Sequence, residues 1–209
     1  MIIKICGIQN KETLLCCEKN NVNFFGMIFY QKSPRNISFK DASVLQKISE
    51  DLNIKGVGVF VNKSFNEIEE IIRNLKLKFV QLHGSEDKTY IKNLKKTGVK
   101  IIKSIPVSNI NDLSKIDKYG NVDYFLFDYK PIRGELPGGN AKNFDWNILK
   151  YLKTDKPWFL SGGINTNNIE KIINDLDPYG IDLSSGVEKE LGIKDNRIIN
   201  NFIGKLKDA

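Results

Sequence analysis

KGVGVFVNKSFNEIEEIIRNLKLKFVQLHG, residues 55–84, holds two short apolar runs on either side of one amphipathic segment. The outer runs, KGVGVFV (55–61) and KFVQLH (78–83), are rich in β-branched and aromatic residues and too short for buried helices, so they read as strands. Between them SFNEIEEIIRNLK (64–76) switches to the helical period, and Phe65, Ile68, Ile71, Ile72 and Leu75 form one apolar stripe. Ser64 is placed to cap this helix and Glu67 to complete a capping box. The strands are apolar almost throughout, as strands covered on both faces must be, and parallel neighbours need a crossover helix between them. The stretch is therefore a β–α–β unit.

Working outward, the same kind of apolar run recurs as IIKIC (2–6), FFGMIF (24–29), VKIIKSI (99–105), VDYFLFD (122–128), PWFLSG (157–162) and GIDLSSG (180–186). Eight strands alternating with helical segments in 209 residues predict an α/β fold, a compact (β/α)8 TIM barrel forming a single domain over residues 1–209. A doubly wound open sheet is built from the same units, and the pattern alone leaves it open. No linker or low-complexity tract interrupts the chain. The one long connection is YKPIRGELPGGNAKN (129–143), and a loop of that length in a compact domain is usually functional or mobile.

Apolar residues make up 41% and charged residues 27%, ordinary values for a soluble globular protein. No apolar run approaches the roughly 18 residues of a membrane span, and the N-terminal residues lack the pattern of a secretory signal, so a cytoplasmic protein without membrane contacts is expected. Cys6, Cys16 and Cys17 have neither the number nor the spacing of a disulfide framework or a zinc site, so no metal is expected. Cys16 and Cys17 lie within a helical segment and read as packing residues. The net charge of +7 and pI near 9.1 would suit nucleic acid if it were clustered, but Lys is interleaved with Asp and Glu and no basic stripe emerges. A diffuse positive field fits an anionic small molecule better.

In a barrel the functional residues stand at the carboxyl ends of the strands. Cys6, His83, Asp128, the Gly162–Gly163 pair and the run from Asp182 through Ser184 and Ser185 to Gly186 all fall there, and Arg35 follows the second strand. The last two strands run into small residues and then, by pattern, into helix starts, an arrangement in which backbone N–H groups and a helix dipole can receive a phosphate. Asp128 ends an apolar strand, and a carboxyl reaching solvent at such a mouth can rise in pKa and donate a proton. Taken alone it could equally be a turn residue, Arg35 a solvated cation, His83 a structural histidine, and Cys6 a small buried hydrophobe.

Together the segments KICGI, SPR, VGVFVN, VQLHG, DYFLFD, GG…K.FDW, SGGINTNNI and D.SSGVE…GIKD resemble, in order, the signature segments of the phosphoribosylanthranilate isomerases of tryptophan biosynthesis, over residues 4 to about 195. The resemblance implies a (β/α)8 barrel that carries out an Amadori rearrangement of a phosphosugar without a cofactor, as a monomer or homodimer. It implies that Asp128 protonates the furanose ring oxygen, that Cys6 acts as the thiolate base, and that Arg35 pairs with the anthranilate carboxylate. It places the phosphate around Gly162, Gly163 and Ser184 to Gly186; His83 and Asp182, by their place at strand ends, are further substrate-binding candidates. The related aminoaldose isomerase of histidine biosynthesis uses a carboxylate where this chain has Cys6. Two departures stand out: Asn140-Ala141 replaces a small hydroxyl residue and a glycine in the long loop, and Leu191 replaces a proline before Gly192.

Overall fold

The computed structural model describes residues 1–208. Eight parallel strands, β1 (Ile2–Cys6), β2 (Phe24–Ile28), β3 (Lys55–Phe60), β4 (Phe79–Leu82), β5 (Lys100–Val107), β6 (Tyr124–Tyr129), β7 (Trp158–Leu160) and β8 (Gly180–Leu183), pair in sequence order, and β8 pairs back with β1. The sheet is thus a closed barrel and the open-sheet alternative falls. At the closing seam Lys4 lies opposite Asp182.

Outside the barrel lie α1 (Lys11–Lys19), α2 (Phe39–Ser49), α3 (Phe65–Leu75), α4 (Lys88–Leu94), α5 (Ile169–Asp175) and α6 (Asn196–Asp208). Helix α3 matches the sequence reading: the Ser64 N–H and hydroxyl both donate to the Glu67 carboxylate, and Ile68, Ile72 and Leu75 are buried. Short 3-10 segments, Ile110–Lys118 and Trp146–Tyr151, take the helix places after β5 and β6. A small hairpin, β9 (Glu188–Glu190) and β10 (Ile193–Lys194), is inserted between β8 and α6.

Because strand side chains alternate, each strand feeds two cores. Outward residues such as Ile3, Ile5, Val80, Ile101 and Phe127 pack under the helices. Inward, Phe24, Val57, Phe79, Ile102, Leu126 and Phe159 fill the barrel, with Phe24 and Phe79 edge to face at 4.9 Å. The same alternation turns Lys4, Cys6, Gln81, Asp128 and Asp182 inward, above that floor.

Two sequence expectations need correcting. The strands read as 157–162 and 180–186 are shorter, because Gly162 and Gly163 turn to positive φ (+88° and +70°) and Ser185–Val187 forms a 3-10 turn. Nor does a helix start at either end. An asparagine-rich turn delays α5 to residue 169, and the β9–β10 hairpin delays α6 to 196. Backbone N–H groups, rather than a helix dipole, are what these two ends offer an anion.

Candidate active site

A cavity opens at the carboxyl ends of the strands, and Cys6, Arg35, His83, Asp128, Asp182 and Ser184 all line it. Cys6 is buried and lines this cavity. Its room comes from β2: a Cβ at Gly26 would lie 2.7 Å from the sulfur. Two residues earlier on the same inward face, Lys4 is fully buried and donates to Asp182 Oδ1 at 2.8 Å. Burial pushes the Cys6 thiol up, with Asp182 adding to the rise, while the Lys4 and Lys194 ammonium groups pull the other way. Burial also disfavours the Lys4 cation, but Asp182 and Cys6 together more than offset this and hold Lys4 above the ordinary lysine value.

Across the cavity, Asp128 accepts the Tyr129 N–H at 2.8 Å through Oδ1, and its Oδ2 lies 3.3 Å from His83 Nε2. Gln81 places its amide nitrogen 2.8 Å from His83 Nδ1, so with that amide donating the neutral ring carries its proton on Nε2, toward Asp128 and the Ser104 hydroxyl. Asp128 is expected from the sequence to reach solvent but is 5% exposed, because Gly138 of the long loop closes over it. A Cβ at Gly138 would stand 2.8 Å from His83 Nε2 and 3.2 Å from Asp128 Oδ2.

Arg35 is buried rather than solvated. Its Nε and Nη2 form a fork onto Glu188 at 2.7 and 2.8 Å, and Nη2 also donates to the Gly139 carbonyl at 3.2 Å. Lys194, also buried, donates to the same Glu188 carboxylate and to the Ser184 carbonyl and hydroxyl. Burial alone would raise Glu188, but Arg35 and Lys194 hold its carboxyl below the usual range; burial carries Lys194 down in spite of Glu188.

A second, polar recess adjoins the first and is lined by Gly162, Gly163, Ser184, Ser185 and Lys142 among others. A Cβ at Gly186 would collide with the Ile164 carbonyl oxygen, so the loops after β7 and β8 pack backbone against backbone and form one cradle. Ser184 Oγ donates to the Cys6 carbonyl at 3.2 Å and ties this cradle to the thiol's strand. Asp182 lines both spaces, but one of its oxygens is taken by Lys4. Cys17 is fully buried in the helix layer and Cys16 is half-buried there, as packing residues. Among the described residues no group of three or more His, Cys, Asp or Glu side chains is gathered as a metal site requires.

The sequence reading missed Lys4, Gln81, Lys194 and Glu188. A lysine two places before Cys6 in an otherwise apolar strand was a usable signal, since both must face the barrel interior. Glu188 and Lys194 fall within the D.SSGVE…GIKD segment, but nothing local links Glu188 to Arg35, 153 positions away.

Titratable groups gathered at the carboxyl face of a closed barrel, over apolar interior layers, define a (β/α)8-barrel enzyme. Comparison with known proteins narrows the class. The family model described as N-(5'phosphoribosyl)anthranilate (PRA) isomerase matches residues 3–205. The N-(5'-phosphoribosyl)anthranilate isomerase of Parabacteroides distasonis is 40% identical over 209 residues, covering 99% of this chain and 93% of that protein. The crystal structure of phosphoribosyl anthranilate isomerase from Thermus thermophilus superposes with a TM-score of 0.89 at 26% identity, covering 100% of this chain and 99% of that one. A phosphoribosyl anthranilate isomerase solved in complex with reduced 1-(o-carboxyphenylamino)-1-deoxyribulose 5-phosphate gives 0.83 at 32% identity, with both chains covered completely. The chain belongs to the N-(5'-phosphoribosyl)anthranilate isomerase family, as its motifs led us to expect.

Proposed function

We propose that the chain, acting as one catalytic domain in the cytoplasm, isomerises N-(5-phosphoribosyl)anthranilate to 1-(2-carboxyphenylamino)-1-deoxyribulose 5-phosphate in tryptophan biosynthesis. The observation that carries this reading is that Cys6 and Asp128 line one cavity, with a buried arginine at one side and a glycine- and serine-lined recess at the other. Asp128 donates a proton to the furanose ring oxygen, and the ring opens to a protonated Schiff base. The Cys6 thiolate then takes the C2' proton, and the electron pair moves into the iminium to give an enolamine. Ketonisation returns a proton to C1' from the thiol while the enol O–H proton passes to the Asp128 carboxylate, so both groups regain their starting states. The iminium is itself the electron sink, so the scheme calls on no cofactor.

The other residues hold the substrate. Glu188 occupies the Nε–Nη2 edge of Arg35, which leaves Nη1 for the anthranilate carboxylate. The phosphate rests on backbone groups and hydroxyls of Gly162, Gly163, Ser184, Ser185 and Gly186. His83 orients Asp128, and the second oxygen of Asp182 accepts from a sugar hydroxyl. The proposed partner is thus a small phosphosugar, with neither nucleic acid nor membrane involved, and the unit is a monomer or homodimer. The test is to generate phosphoribosylanthranilate in situ and follow the loss of its fluorescence, identifying the product by mass. Cys6→Ala and Asp128→Asn are expected to lower kcat by at least about 100-fold, the lower end of what a positioned acid or base contributes, in a folded protein. Near-wild-type turnover in either variant removes that residue from the mechanism, and no turnover by the wild type removes the substrate.

A further inference from the structure

A buried lysine needs a reason. Lys4 stands in the barrel interior with no exposure, and its ammonium is held 2.8 Å from Asp182 of the neighbouring strand β8. Stability does not supply the reason, because replacing such a pair by apolar side chains of similar size is often neutral or stabilising. Its position does. Strand geometry sets the Cα atoms of Lys4 and Cys6 about 6.6 Å apart with both side chains turned inward, so the four-carbon lysine stem brings its charge into range of the thiol. We propose that Lys4 is a positioning residue whose ammonium, tethered by Asp182, stabilises the Cys6 thiolate. The proposal rests on the reading of Cys6 as the base and names the group that makes a thiol usable in that role.

The surroundings of the sulfur leave Lys4 the leading cation. From β8 comes Asp182, which opposes the thiolate, and from β10 comes Lys194, which favours it but is already shared by Glu188 and Ser184. Strand β2 presents only Gly26 and Ile28, while Asp128 and His83 line the cavity from β6 and from the end of β4, and Arg35 is committed to Glu188. In the step itself the Cys6 S–H releases its proton to water, the electron pair stays on sulfur, and Lys4 remains an ammonium throughout. The thiolate so formed is the species that receives the C2' proton.

The experiment reads the thiol directly, without turnover. The full chain is treated with iodoacetamide across a pH series and S-alkylation of Cys6, with iodide leaving, is quantified by peptide mass spectrometry so that Cys16 and Cys17 do not interfere. Lys4→Gln, which keeps a donor for Asp182 but no charge, is expected to move the Cys6 profile alkaline by about one pH unit or more, a tenfold slower reaction at a fixed pH below the midpoint. Lys4→Arg should restore most of the profile, and the rising limb of kcat/KM should move in parallel. A Lys4→Gln profile that superposes on the wild type overturns the proposal. If Lys4→Gln fails to fold, the uncharged pair Lys4→Gln/Asp182→Asn decides: it should still move alkaline, because Lys4 acts on the thiol more strongly than Asp182, and an unmoved profile there overturns the proposal. Unchanged turnover in Cys6→Ala would instead remove the base reading while leaving the alkylation result standing, so the two failures are distinguishable.

Discussion

Replacing Glu188 by glutamine keeps its size and removes its charge. In the native protein this carboxylate takes two bonds from Arg35, one from Lys194 and the Gly192 N–H at 3.1 Å. Both cations are nearly inaccessible, Arg35 at 1% and Lys194 at 2% of their side-chain surface. Glu188→Gln therefore opens no cavity but leaves two buried positive charges without a counter-ion, a change that costs about 3–5 kcal/mol. For a chain of this length that corresponds to a fall in Tm of roughly 6–20 °C. The pH dependence follows from the lowered carboxyl. Its contribution is fully present above the unfolded-state value near 4.5 and is lost as pH falls through the lower folded-state value, so the wild type gives up this term in acid while the glutamine variant has none to give up. Urea denaturation at pH 7 and at pH 3–4 should show a gap of several kcal/mol that narrows in acid. A gap under about 1 kcal/mol at pH 7, or one that does not narrow, would refute the argument that Glu188 is the counter-ion of the arginine pocket.

Two further outcomes are expected. Lys103, buried in the helix layer, donates to the Leu82 and Gly84 carbonyls and to Glu86, which in turn receives the Asn62 and Gly84 N–H groups. Lys103→Met strands the Glu86 carboxylate and should cost about 3–5 kcal/mol in chemical denaturation, with part restored by adding Glu86→Gln; no recovery in the double variant contradicts the pairing. In the long loop, Ala141 sits at φ +55°, in the left-handed region that favours glycine. Ala141→Gly should relieve left-handed strain by a net of roughly 0.5–1 kcal/mol after the entropy of glycine is counted, and so slow proteolysis within residues 129–143 about two- to fivefold. Unchanged or faster cleavage would show that the loop does not feel this strain.

The barrel was legible because its information is local. Period two in KGVGVFV and period 3.6 in SFNEIEEIIRNLK are each decided within a dozen residues, and their alternation repeats along the chain. Strand ends at the carboxyl face then located Cys6, His83, Asp128 and Ser184. Partners were not legible. Arg35 read equally well as a solvated cation until the fold brought Glu188 to it, and a charge pair between distant positions leaves no periodic trace. The helix starts expected after β7 and β8 failed for a related reason. Gly162, Gly163 and Gly186 serve backbone contacts with Lys142, Asn143 and Ile164, which local pattern cannot distinguish from a helix-opening turn.

The seam at which β1 meets β8 also sets an order of events for a newly made chain. Lys4 and Asp182 are 178 positions apart, so at 5–20 residues per second the ribosome delivers the carboxylate roughly 9–36 s after the ammonium. During that interval the thiol of Cys6 has no finished cavity around it and no tethered cation below it. The ion pair that closes the ring therefore forms only when the last barrel strand docks against the first.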